Sequence, residues 1–212
     1  MTEGLFGKTY TDAGVDLDAA ASVKKAIGDI AASTLGKSVV AGPGGFGGII
    51  DPDPTGRTLL VASSDGVGTK LRIAEALGRY DTVGSSIVNH CINDILPAGA
   101  KPLFFLDYIG FSKFDPGKIS EIISGIAKAC AEAGCALLGG ETATMPDIYR
   151  GNDYDLVGFI VGTVRKDALL KPENTRPGDV ILGLASDGLH TNGYSLVRSV
   201  FETDANPSVL AT

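Results

Sequence analysis

Leu59-Leu60-Val61-Ala62-Ser63-Ser64-Asp65-Gly66-Val67-Gly68-Thr69-Lys70 decides the fold. Its apolar start predicts a strand over 59–63. Asp65, Gly66 and Gly68 predict a tight turn, and a helix follows to about residue 77. A strand that ends on a carboxylate and a glycine turn, then passes into a helix, belongs to a chain that mixes both element types.

The same logic extends to either side. Apolar residues at helical spacing predict a helix over 16–34, through Ala20, Val23, Ile27 and Ile30. Residues 35–48 include Gly42-Pro43-Gly44-Gly45-Phe46-Gly47-Gly48 and read as a loop. A helix is predicted over 81–96, with Val83, Ile87, Cys91 and Ile95 on one side, and a strand over 102–109. Asp115 as N-cap, Pro116 in the first turn and Gly134 as stop bracket the clearest helix. A short strand is expected at 136–138, ending in Gly139-Gly140-Glu141-Thr142, and a longer one at 154–164. Residues 174–178 read as a boundary. A strand over 180–185 and a helix running to about residue 201 are expected beyond it. Strands and helices alternate irregularly, so the predicted class is α+β, or α/β with a mixed sheet.

Composition narrows the function. The 212 residues carry 29 glycines and a formal charge of −7. That balance disfavours nucleic acid and anionic membrane as partners. No apolar stretch is long enough to cross a membrane. Three cysteines without a CxxC pair, and no signal peptide, fit a cytoplasmic chain with buried thiols.

Chemistry gathers where carboxylates meet glycines. Asp65, Glu141 and Asp107 each follow a strand, where Mg²⁺ finds the one or two carboxylates it needs beside phosphate oxygens. A turn or helix cap is the alternative for each. Asp94 falls on the apolar side of its helix, so it requires a partner unless it lies in a solvated last turn before Pro97. The loop from Gly42 to Gly48 reads either as backbone amides around a polyphosphate or as a plain flexible loop. The segment Gly66-Val67-Gly68-Thr69-Lys70 is an anion site at a helix start or a capped turn. His190 suits phosphate contact, proton transfer or fixing its loop, while His90 reads as a packing residue.

Taken in order, these runs resemble the phosphoribosylformylglycinamidine cyclo-ligase (AIR synthetase) family. The carriers are Tyr10-Thr11-Asp12-Ala13-Gly14-Val15-Asp16, Gly44-Gly45-Phe46-Gly47-Gly48 and Asp65-Gly66-Val67-Gly68-Thr69-Lys70-Leu71. They continue with Asn93-Asp94-Ile95-Leu96, Phe104-Phe105-Leu106-Asp107-Tyr108, Gly139-Gly140-Glu141-Thr142-Ala143 and Gly188-Leu189-His190-Thr191-Asn192-Gly193-Tyr194-Ser195. The resemblance implies a PurM-like fold: an N-terminal domain over 1–170 with a mixed sheet flanked by helices, then the start of a second α+β domain over 171–212. It implies ATP-dependent closure of formylglycinamidine ribonucleotide to aminoimidazole ribonucleotide, with ATP and Mg²⁺ as cofactors. It also implies a homodimer formed through the N-terminal sheets.

By the same resemblance Asp65, Asp94 and Glu141 hold the metal. Gly44, Gly45, Phe46, Gly47, Gly48, Thr69 and Lys70 face ATP. Asp107, Thr142, His190 and Asn192 lie near substrate, with Asp94 and His190 as the catalytic pair. His90, Pro97, Thr144, Asp147 and Asp187 depart from the family pattern. The chain is expected to be truncated within its second domain, so an inactive nucleotide-binding module stands as the alternative. Another ATP-dependent relative, such as thiamine-monophosphate kinase, is the other.

Overall fold

The computed structural model describes residues 7–186 and 188–211, so Asp187 lies outside the described residues. Six strands form one sheet in the order β1-β2-β3-β6-β4-β5. They are β1 (Val39–Ala41), β2 (Gly48–Ile50), β3 (Thr58–Gly66), β4 (Lys101–Phe111), β5 (Ala136–Thr144) and β6 (Tyr154–Arg165). Only β4 and β5 run parallel, and all other neighbours are antiparallel. The helices are α1 (Leu17–Ala32), α2 (Lys70–Leu77), α3 (Asp81–Ile95), α4 (Pro116–Ala133) and α5 (Tyr194–Phe201). The fold class is therefore α+β with a mixed sheet, as the sequence predicts.

Helices α3 and α4 make one layer on one face of that sheet. Ile87, Cys91 and Ile95 of α3 and Ile122 and Ile126 of α4 meet Phe105, Ile109, Leu156 and Ile160, all buried. Each such side chain stabilises the fold by roughly 1.5–3 kcal/mol. The two helices cross almost backbone to backbone. A Cβ on Gly84 would lie 2.1 Å from the Ile122 carbonyl oxygen, and one on Gly125 would lie 1.9 Å from that of Asp81. Only glycine admits so close an approach. Asp115 caps α4 by accepting the Lys118 amide, Pro116 fills its first turn, and Gly134 closes it at φ 69°.

The opposite face has no helix layer among the described residues. Leu60, Ala62, Leu106, Tyr108, Val157 and Phe159 occupy the alternate positions there, and Ile50 and Phe159 remain 42% and 40% exposed.

Five expectations change. The strand predicted at 59–63 runs on to Gly66, so Asp65 and Gly66, expected in the turn, pair with Gly158 and Val157 inside β3. The glycine loop carries two three-residue strands, too short to show a period, at β1 and β2. The strand predicted at 136–138 continues to Thr144, so Gly139, Gly140, Glu141 and Thr142 lie inside it. Ladder bonds to β4 hold them there, and a Cβ on Gly140 would meet the Asp107 carbonyl oxygen at 2.6 Å. Asp107, expected near a strand end, lies well inside β4. No strand forms at 180–185 among the described residues. A strand exists by pairing, and none of the described strands pairs with this run. Val180, Ile181, Leu182 and Leu184 are 83–99% exposed.

Candidate functional site

Two rungs between β3 and α3 form the centre of the site. Side chains alternate along β3, so Ser63 and Asp65 face the helix layer together with Val61. On α3, His90 and Asp94 are one turn apart and share a side. His90 Nε2 lies 2.6 Å from Asp65 Oδ2, and the Ser63 hydroxyl donates to Asp94 Oδ2 at 2.6 Å. The other Asp65 oxygen accepts the Gly66 N–H at 2.7 Å. Asp94 thus sits in the last turn of α3 yet is half-buried, and its partner is a hydroxyl.

The glycine loop closes over the Asp94 rung. Ser63 Oγ is 3.0 Å from the Phe46 carbonyl oxygen, and a Cβ on Gly47 would stand 3.4 Å from that of Asp94. This brings the segment of Gly44, Gly45, Phe46, Gly47 and Gly48 to the carboxylates. Phe46 itself is exposed.

The start of α2 faces the same region. Gly68 adopts φ 71°, and Thr69 is the N-cap without a capping hydrogen bond from its side chain; the Leu71 and Arg72 amides are instead taken by the Gly68 and Thr69 carbonyls at 3.1 and 3.2 Å. Thr69 Oγ1 lies 3.0 Å from Ser195 Oγ. Lys70 donates to Ser86 Oγ at 3.0 Å and to the His190 carbonyl at 2.7 Å. Burial pushes the Lys70 ammonium below its ordinary pKa. An open cleft of about 730 Å³ is lined by Lys70, Ser86, His90, Asn93, His190 and Asn192. A second, of about 480 Å³, joins Asp65, Gly68, Thr69 and Asn192. The His190 ring reaches Ser186 Oγ at 3.2 Å, so its carbonyl, not its imidazole, meets Lys70.

The remaining predicted residues stay apart. Asp65, Gly158, Asp107 and Gly140 form one row across the sheet, whereas Gly66, Val157, Tyr108 and Glu141 form the next. Neighbouring rows point to opposite faces. Glu141 therefore projects from the uncovered face, three strands and about 14 Å from β3 at about 4.8 Å per strand. Within one chain it does not join Asp65 and Asp94. Among the described residues no three His, Cys, Asp or Glu side chains gather in a metal-binding cluster. Thr142 is on the β4–β5 edge as well. Asp107 is buried under α4, where desolvation raises its pKa, and it lines neither cleft.

Two site residues escape the sequence reading. In the sequence Ser63 is one residue of a strand, and His90 reads as a packing residue. The signal for both was parity: Ser63 is two residues from Asp65 on a strand, and His90 is four from Asp94 on a helix.

Chemically, Asp65 and Thr69 line one cleft and Lys70 and His90 the neighbouring one, with the Asp94 rung and the glycine loop beside Ser63 on the same strand. Such a set suits a phosphate-bearing ligand with a hard cation.

Residues 45–164 match the family model for AIR synthase related protein, N-terminal domain, and residues 176–211 match that for the C-terminal domain. The chain belongs to the AIR synthase-related family. A phosphoribosylformylglycinamidine cyclo-ligase of Xanthomonas oryzae pv. oryzae is 47% identical over 201 residues, 94% of this chain and 59% of that protein. The enzyme of that name from Paraburkholderia phymatum is 50% identical over 197 residues, 92% of this chain and 56% of its own length. The chain thus spans under two thirds of these curated relatives. PurLQS from Thermotoga maritima superimposes with a TM-score of 0.51 at 22% identity, covering 66% of this chain and 23% of that one. That likeness concerns the fold alone.

Proposed function

We propose that this chain carries the ATP- and cation-binding part of a phosphoribosylformylglycinamidine cyclo-ligase, an enzyme of purine biosynthesis. In that reaction ATP phosphorylates the formyl oxygen of formylglycinamidine ribonucleotide. The amidine nitrogen then attacks the same carbon and expels phosphate, leaving aminoimidazole ribonucleotide, ADP and phosphate. The protein's task is positioning and charge neutralisation, since no protein nucleophile is needed.

The observation that carries the reading is the pair of β3–α3 carboxylate rungs, with the glycine loop beside the Asp94 rung and Thr69 lining the cleft of Asp65. Asp65 and Asp94 fit Mg²⁺, because each presents a half-buried carboxylate already oriented by one neighbour, and Mg²⁺ takes one or two carboxylates with phosphates and water. When bound, Mg²⁺ neutralises charge on the phosphate oxygens. Gly44, Gly45, Phe46, Gly47 and Gly48 offer backbone groups to the phosphates, and Thr69 and Lys70 do so from the α2 start. Asn192 and His190 flank the opening on the substrate side. Glu141, Thr142 and Asp107 would have to serve from elsewhere: Glu141 and Thr142 from the β4–β5 edge, Asp107 through the packing of β4.

Residues 1–170 and 171–212 are read as the first domain and the start of a second. The uncovered sheet face, with Leu106, Tyr108, Val157 and Phe159, supports self-association into a homodimer. Free thiols at Cys91, Cys130 and Cys135 fit a cytoplasmic setting.

Turnover of formylglycinamidine ribonucleotide with Mg·ATP tests the activity. A second reading, a nucleotide-binding and self-associating module without turnover, is favoured by the exposure of Val180, Ile181, Leu182 and Leu184. Product formation by the 212-residue chain sinks that second reading; binding without product supports it.

A further inference from the structure

His90 is the one imidazole that touches a carboxylate among the described residues. Its side chain is 14% exposed, against 43% for Asp65, so the contact is sheltered on the histidine side and open on the carboxylate side. An ionised carboxylate only accepts, so Nε2 must carry the hydrogen in this pair. Asp65 is then held at both oxygens, by the Gly66 amide at 2.7 Å and by His90 at 2.6 Å. Each oxygen keeps a lone pair, and the plane of the carboxylate is fixed toward the opening that Asp65 lines with Thr69 and Asn192. The neighbouring rung repeats the device with a different donor: Ser63 holds Asp94 from the strand side, while His90 holds Asp65 from the helix side.

We propose that His90 is the positioning residue for Asp65, orienting its carboxylate for the cation that accompanies the nucleotide. The inference rests on the reading that Asp65 meets that cation. Nε2 donates to Asp65, so through that nitrogen His90 acts on the carboxylate and not as a metal ligand. A glutamine carries an N–H at a comparable reach from the backbone, which makes it the conservative replacement.

The test is calorimetric titration of Mg²⁺ into the 212-residue chain with a non-hydrolysable ATP analogue, at one pH, for the parent, Asp65→Asn, His90→Ala and His90→Gln. Circular dichroism and thermal melts establish that each variant is folded. The expected result is a loss of about 10- to 100-fold in Mg²⁺ affinity for His90→Ala, the usual effect of removing a partner that orients a ligand. His90→Gln is expected to stay within about threefold of the parent, and Asp65→Asn to lose at least as much as His90→Ala. If Asp65→Asn leaves Mg²⁺ affinity unchanged, the cation reading of Asp65 fails and takes this inference with it. If Asp65→Asn weakens Mg²⁺ but folded His90→Ala does not, the inference alone is overturned. Equal losses for the Ala and Gln variants overturn it too, because hydrogen-bond donation would not then be the property that matters.

Discussion

The β3–α3 region and the β4–β5 edge carry the same sequence signature, a strand followed by glycines and a carboxylate, and the fold treats them oppositely. At β3 the carboxylate row lies beneath α3, whose own polar residues answer it rung by rung. At β5 the glycines are drawn into the ladder, and Glu141 emerges on the face with no helix layer. Between them Asp107 shares a row with Asp65 but is sealed under α4. Strand parity and the covering helix, more than flanking glycines, decide which carboxylate is offered to a ligand.

The sharpest way to break this comparison is nucleotide binding. Asp65→Asn and Asp94→Asn should each weaken Mg²⁺-dependent binding of an ATP analogue by about 100-fold, near 2.7 kcal/mol. Glu141→Gln should cost less than about tenfold in the same titration. Equal losses for all three would bring Glu141 into the site from a second chain.

Gly140→Ala probes the other edge. A Cβ there would overlap Asp107 Oδ1 at 2.4 Å and its carbonyl oxygen at 2.6 Å. The expected destabilisation is about 2 kcal/mol in denaturant melts. An unchanged midpoint would show that β5 can shift away from β4.

The uncovered face makes a third contrast. Phe159→Asp places a charge among Leu106, Val157 and Tyr108, and should weaken self-association by about tenfold in sedimentation equilibrium while leaving the monomer folded. A parent chain that is monomeric at every concentration tested would remove this face as an interface.

The smallest effect belongs to Asp107. Burial raises its pKa in the folded state. Folding therefore favours the protonated form, and stability is lost as pH rises from the ordinary carboxylate range upward. Asp107→Asn should flatten that slope and gain about 1 kcal/mol at neutral pH, measured by urea unfolding across pH 4.5–7.5. A slope that persists in the variant would assign it to another group.

Much of this was legible in the chain. Asp115, Pro116 and Gly134 mark α4 because capping is local chemistry, and its apolar stripe meets the sheet as the period predicts. The mixed-sheet class follows from the irregular alternation of elements. The family pattern names Asp65, Asp94 and the glycine loop, and the structure sets the first two on facing rungs of β3 and α3 with the loop beside one of them. What escaped was non-local. The reach of β5 to Thr144 depends on β4, the absence of a strand at 180–185 depends on missing partners among the described residues, and the roles of Ser63 and His90 depend on which face of β3 meets which face of α3. Glu141 illustrates the limit best: its motif is intact, yet one residue of register sends it to the other side of the sheet.

The crossing of α3 and α4 through Gly84 and Gly125 has a mechanical consequence. With carbonyl oxygens where side chains would otherwise cushion the contact, the helix pair has little slack to slide or roll. The jaw that holds His90 and Asp94 opposite Ser63 and Asp65 is thus set at a fixed gape by atoms at the far end of α3. The proposed cation contacts of Asp65 and Asp94 would then depend on helix packing as well as on the residues that touch the ion.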